Sequence, residues 1–252
     1  MSSRPRGYCL IINNVLFQNI LPERFGSYED ARKLDVVFHE LGYEVIFRSD
    51  QTAQEILGLT KKFSEKPEHE EVDSCVVIIL SHGDYNIIYG SDAEKVQLDT
   101  ILNFFNNDNC QRLRGKPKMF FIQACQGDNY DRGVSICCKA DSKPYIQQII
   151  QNASQPIMSA SSCLQTWSDM LISHSTLPGH ISYRNEISGS WYGQALASVL
   201  MEHAHEMDLL HMLLKVDQIV KEHINGDGKK QATETITLGW SGRLYFNPGL
   251  FK

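Results

Sequence analysis

Apolar residues along this chain fall into short continuous runs that alternate with stretches of helical spacing. Runs of strand length occupy Tyr8 to Asn13, Glu44 to Arg48, Val76 to Leu80, Met119 to Ala124 and Met170 to His174. Between the first two, Ala31, Leu34, Val37, Phe38 and Leu41 recur at helical intervals. Ser27 followed by Asp30 reads as the start of that helix, a Ser-x-x-acid cap, and Gly42 as its stop. Thr52 to Phe63 and Leu98 to Phe105 read as further helices. Ile87 to Gly90 with Val96 reads as a small hairpin, and the acidic Glu65 to Glu71 as a solvated loop. Strands alternating with helices predict an α/β fold with a mostly parallel sheet and helices on both faces.

The texture changes after Gly127. Tyr130 to Thr166 is rich in Gln, Ser and Asn and has little periodicity, which predicts a connector with one helical piece near Ile146 to Ile150. Amphipathic helices follow at Ser188 to Ala204 and Leu209 to His223, a turn at Asn225 to Gly228, and closing strands at Thr233 to Leu238 and Arg243 to Phe246. The chain therefore divides into a disordered stub (1–6), a large part (7–128), a connector (129–167) and a small part (168–252), all within one catalytic domain.

With 252 residues, 42% of them hydrophobic, the chain can bury one full core. A net charge of −6 argues against nucleic acid or an anionic membrane as a partner. No apolar run reaches the ~18 residues of a membrane span, and the opening residues lack a signal-peptide pattern. Seven cysteines, an odd number without CxxC pairs, fit reduced thiols and a cytoplasmic location extending to the nucleus. Neither Cys137-Cys138 nor the scattered histidines show metal-ligand spacing, so no metal or other cofactor is expected. The Asn152-Ala153-Ser154 sequon carries no meaning without secretion.

The chemistry concentrates where two strands end. The run before Cys125 delivers its sulfur to a Gly-Asp-Asn turn, and the run ending at Leu80 delivers Ser81-His82-Gly83. Parallel strands would set His82 and Cys125 side by side at one sheet edge, a thiol with a base. The unperturbed imidazole pKa of about 6.5 suits His82 as a general acid. The backbone N–H groups of Gly83 and Cys125 are the candidate oxyanion donors, Gly83 because a missing side chain permits close approach.

Gln123-Ala124-Cys125-Gln126-Gly127 matches the Q-A-C-[RQG]-G caspase signature, which has its histidine about 50 residues upstream; here the interval is 43. Arg24 to Ser27, Ser81 to Gly83, Gly115 to Lys118, Ser175 to Gly179, Ser182 to Asn185 and Gly189 to Trp191 also resemble caspase blocks in caspase order, from about Gly7 to Phe246. The opening Arg6 to Asn14 resembles nematode caspases. The resemblance implies a six-stranded sheet extended by dimerisation through small-part edge strands, and cleavage of protein substrates after aspartate in programmed cell death. It implies that the Pro22 carbonyl orients His82, and that Arg24, Gln123 and Arg184 bind the substrate aspartate. It also implies that Ser182, Tyr183, Asn185 and Trp191 line the neighbouring pockets; Tyr183 departs from the usual tryptophan. Two guanidinium forks match one carboxylate. An enzyme with that preference would cut its own connector, where Asp128, Asp131 and Asp141 are candidates and Asp141-Ser142 is the choice. The rival readings are a catalytically weak or dead caspase-like regulator that binds a partner caspase, and a metacaspase- or paracaspase-like peptidase. The second would need acidic residues in the pocket where this sequence offers arginines.

Overall fold

The computed structural model describes residues 1–133 and 164–250. Cys137-Cys138, Asp141, Ile146 to Ile150 and Asn152, singled out above, lie outside them.

In chain order the elements are β1 (Gly7–Asn13), α1 (Ser27–Glu40), β2 (Tyr43–Ser49), α2 (Ala53–Ser64) and β3 (Ser74–Leu80). The small strands β4 (Gly83–Asp84), β5 (Ile87–Tyr89) and β6 (Lys95–Gln97) follow, then α3 (Leu98–Asn103) and β7 (Lys118–Gln123). Beyond residue 163 come β8 (Met170–His174), β9 (Arg184–Asn185), β10 (Gly189–Ser190), α4 (Trp191–His203), α5 (Leu209–Glu222) and β11 (Glu234–Leu238).

One six-stranded sheet runs in the order β11-β8-β7-β3-β1-β2. Every neighbouring pair is parallel except β11 with β8. Because side chains alternate along a strand, β1 sends Cys9 and Ile11 to one core and Tyr8, Leu10 and Ile12 to the other. The first core is roofed by α1, α4 and α5, and the second by α2 and α3. A sheet apolar on both faces needs exactly this double cover, and it explains why β1, β3 and β7 read as unbroken apolar runs. The parallel strands all end at one edge, where the loops after β3, β7 and β8 meet.

Four expectations are corrected. Residues 1–6 are not a disordered stub. The Ser2 and Ser3 amides donate to Asp73, and the fully buried Arg6 donates to the carbonyls of Met1, Asn247 and Leu250. Ser27 forms no capping box: its hydroxyl donates to Asn13 Oδ1 at 2.6 Å, and Asp30 is turned to another helix. Arg243 to Phe246 is not a strand. Leu244 and Phe246 are buried as irregular chain lying on the α1/α4/α5 core, so alternate burial arises there without ladder pairing. The acidic stretch contains a short 3₁₀ turn, Pro67–Glu70, that buries His69.

Candidate active site

Cys125 lies two residues beyond β7 and is partly exposed. Its Sγ accepts the Ser182 N–H at 3.4 Å. His82 lies two residues beyond β3, in the strand register next to β7. Its Nε2 is 2.7 Å from the Pro22 carbonyl oxygen, the partner expected for it. A carbonyl can only accept, so Nε2 carries the hydrogen and Nδ1 keeps the free lone pair. The Phe17 ring packs on the imidazole at 4.7 Å between centroids and fixes its other face.

The electrostatics differ from the sequence expectation. Burial pushes the His82 pKa down to about 4, and the Arg24 and Arg184 charges add to that, against the pull of the Pro22 bond. The ring is therefore neutral near pH 7 and is a base before it can be an acid. Two cations in the neighbourhood were legible in the sequence; their distance from His82 was not.

Gly83 sits against the Cys125 loop. A Cβ there would lie 2.7 Å from the Ile87 oxygen, 2.8 Å from the Ala124 Cβ and 2.8 Å from the Cys125 oxygen. Gly127, at φ +145°, similarly admits Gly179, where a Cβ would be 2.6 Å from backbone. Beyond it the chain is stitched to the small part. Gln126 N–H donates to His180 O at 2.9 Å, Gly179 N–H to Gln126 O at 2.7 Å, and Ile181 N–H to Asn129 O at 3.1 Å.

Arg24 is buried, donating to Asn14 O at 2.8 Å, to Ser27 Oγ at 3.2 Å and to Gln123 Oε1. Gln123 Nε2 in turn donates to Ser182 Oγ at 3.2 Å. Arg184 on β9 is half-buried, and neither arginine takes part in an ion pair among the described residues. Burial lowers the pKa of Arg24 to about 9, with Arg184 pushing the same way. Gly26 lets the two loops meet, since a Cβ on it would collide with the Asn185 carbonyl. Two guanidiniums without a carboxylate partner are thus brought close to the Cys125 loop, an arrangement able to take up a small carboxylate. The chain belongs to the caspase family. A family model described as Caspase domain matches residues 6–238. Caspase-2 of Gallus gallus is 38% identical over 227 residues, covering 87% of this chain and 52% of that protein. Caspase-9 of Homo sapiens is 36% identical over 241 residues (87% and 57%), and Caspase-3 of Bos taurus 37% over 216 residues (85% and 72%). The chain thus spans little more than half the length of the first two.

Of the other residues expected at a caspase pocket, Tyr183 and Trp191 stack with centroids 4.6 Å apart, and His223 covers Trp191 at 5.2 Å. The Asn185 side chain is occupied within its own turn, accepting the Ile187 and Ser188 N–H groups at 2.9 and 3.0 Å. Sequence reasoning missed Phe17, His223 and Gln231. Gln231 is buried and joins Tyr183 N–H, at 2.7 Å, to the Ser175 carbonyl, at 2.6 Å. Its signal was weak: one amide in the polar stretch before β11.

Proposed function

We propose that this chain is a cysteine endopeptidase that hydrolyses protein substrates after aspartate and works in programmed cell death, in the cytoplasm and extending to the nucleus. The observation that carries the reading is the polar path Arg24–Gln123–Ser182–Cys125, with Arg184 beside it. It joins a two-cation carboxylate receptor to a sulfur. A site built around a buried polar receptor rejects substrates that lack the matching group by about 10⁴–10⁵.

In this mechanism Arg24 and Arg184 hold the aspartate side chain and so present the following peptide bond to Cys125. Ser182, Tyr183, Asn185 and Trp191 line the pockets for the preceding residues. The Cys125 thiol proton passes to Nδ1 of His82 as the sulfur attacks the carbonyl carbon. The N–H groups of Gly83 and Cys125 stabilise the oxyanion. His82, now charged and oriented by Pro22, gives its proton to the leaving amine. Water then takes the acyl group from sulfur, its proton passing through His82 back to the thiolate. No step calls for a metal or cofactor. The regulator reading is disfavoured because every reacting group is retained, and the paracaspase reading because the pocket is cationic.

The division into large part, cleavable connector and small part belongs to the same proposal, with Asp141 as the cut. Asp131 is tied down, its carbonyl accepting Lys230 N–H at 2.9 Å. Mass spectrometry of the purified protein should find a new N-terminus at Ser142. We further propose a homodimer through β11, and a likeness to nematode caspases on the strength of Arg6 to Asn14. The deciding experiment is a set of chromogenic peptides with Asp, Asn, Arg or Lys before the bond, run on wild type and Cys125→Ala. Only Asp peptides should be cut, and only by wild type. Equal cleavage of Asp and Asn peptides, or activity in the Ala variant, would sink the proposal.

A further inference from the structure

One acidic side chain of α1 points into the protein. Asp30 is fully buried. Its two carboxylate oxygens accept the Ser190 N–H at 3.0 and 2.8 Å. The Ser190 hydroxyl caps α4 by accepting Gly193 N–H at 2.9 Å. The local backbone is shaped around this group. A Cβ on Gly193 would lie 2.5 Å from Asp30, and one on Gly189, at φ +100°, would collide with it. Ser190 is the direct cross-strand partner of Arg184 in the β9–β10 ribbon. The carboxylate thus grips the residue opposite Arg184, at the positive end of a 13-residue helix.

Its charge matters as well as its bonds. Arg24 and Arg184 repel one another, and Asp30 is the carboxylate whose field supports the charged form of both. It forms no ion pair with either arginine among the described residues.

We propose that Asp30 is a positioning residue of the aspartate pocket, fixing Arg184 through Ser190 and balancing the Arg24–Arg184 pair while the pocket is empty. This rests on the reading of those arginines as a carboxylate receptor. A helix-capping role would have turned Asp30 toward the start of its own helix, where no side-chain cap bond exists. Burial pushes the Asp30 carboxyl up to about 6, opposed by the Ser190 bonds and by the charges of Arg24 and Lys33. Its charge therefore fills in as pH rises through about 6. Folding stability falls as pH rises from about 4 to about 6, because over that interval the unfolded carboxyl is ionised while the folded one still holds its proton.

The test uses the full chain as wild type, Asp30→Asn and Asp30→Ala. Amide hydrogen exchange is read over residues 184–193, with steady-state kinetics on an Asp peptide from pH 5 to 8, melting temperature, and alkylation of Cys125 by iodoacetamide. The asparagine variant should melt no lower than wild type at pH 7.5 and alkylate normally. It should exchange the Ser190 amide about tenfold faster, and lose about tenfold in kcat/KM, chiefly through KM, the size expected for one charge-assisted hydrogen bond. The wild-type fall in KM between pH 5 and 7 should vanish in it. Unchanged exchange and KM in Asp30→Asn overturn the proposal. So does a lowered melting temperature with KM intact, the mark of a purely structural role. Should the asparagine variant not fold, Asp30→Glu, which keeps the charge but displaces the carboxylate from the Ser190 N–H, decides by the same exchange and KM readouts at one pH. If wild type shows no preference for Asp peptides, the receptor reading fails instead, and exchange at 184–193 still judges the Asp30 grip.

Discussion

Replacing Gly83 by alanine adds one methyl group at the tightest point between the His82 and Cys125 loops. The new Cβ would face the Ile87 oxygen at 2.7 Å, the Ala124 Cβ at 2.8 Å and the Cys125 oxygen at 2.8 Å. None of the three is the end of a flexible side chain. Ordinary contact begins near 3.4 Å, so the two loops must part by about 0.7 Å. Overpacking of this kind costs about 1–3 kcal/mol, which lowers the melting temperature by roughly 2–12 °C for a chain of this size. The larger effect is on chemistry. The Gly83 N–H moves with its loop, and losing one oxyanion donor costs about 10²–10³ in kcat. KM should change less than kcat, because Arg24 and Arg184 sit on other segments and only Gln123 adjoins the displaced loop. Gly58 is the internal control. It lies within α2 with nothing near its would-be Cβ, so Gly58→Ala should stabilise by about 0.5–1 kcal/mol and leave kcat alone. The assay is Asp-peptide hydrolysis alongside thermal melts. A Gly83→Ala enzyme within threefold of wild-type kcat would falsify the oxyanion role of Gly83, whatever its stability.

Arg184→Lys should lose nearly as much kcat/KM on Asp peptides as Arg184→Ala, since an ammonium lacks the planar fork; near wild-type kinetics would exclude bidentate recognition. Ile236→Asp places a charge in the middle of exposed edge strand β11. It should lower dimer content in analytical ultracentrifugation and activity together, and a fully active wild-type monomer at micromolar concentration would refute the edge as an assembly surface. Burial holds His69, His82 and His174 at pKa values near 4, below their unfolded value of about 6.5. The unfolded chain binds more protons between those limits, so stability should fall as pH drops from about 6.5 to 4, partly offset by Asp30. Denaturant titrations at pH 7, 6, 5 and 4.5 check it, and a flat midpoint would contradict the burial argument.

The parts of the fold visible in the sequence are those where burial alone decides. β1, β3 and β7 are covered on both faces and so carry continuous apolar runs that no loop would carry. The candidate site was legible because Cys125 and His82 each follow such a run closely. What stayed hidden depends on partners distant in sequence. Ser27 and Asp30 form a valid local cap pattern, yet each side chain found a better partner, Asn13 and Ser190. Leu244 and Phe246 alternate like a strand because one side of an irregular segment meets the core. The lowered pKa of His82 comes first from its burial and then from two guanidiniums that lie 58 and 102 residues away along the chain.

The seam between β7 and β8 sets what a cut in residues 134–163 would do. These strands are parallel neighbours in the middle of the sheet, and the α1/α4/α5 core draws on both sides of the cut. A break there leaves two polypeptides with the same ladder and the same core, so nicking alone should not separate them. Unfolding is another matter. The uncut chain closes the β7–β8 pairing within one molecule, whereas the nicked one must find its other half by diffusion. Recovery after denaturation would then slow on dilution, and exposed strands would have time to aggregate. The nicked protein's lifetime would be governed by its rate of unfolding rather than by an equilibrium. A single hydrolysed bond would turn a refoldable chain into one whose assembly is difficult to repeat.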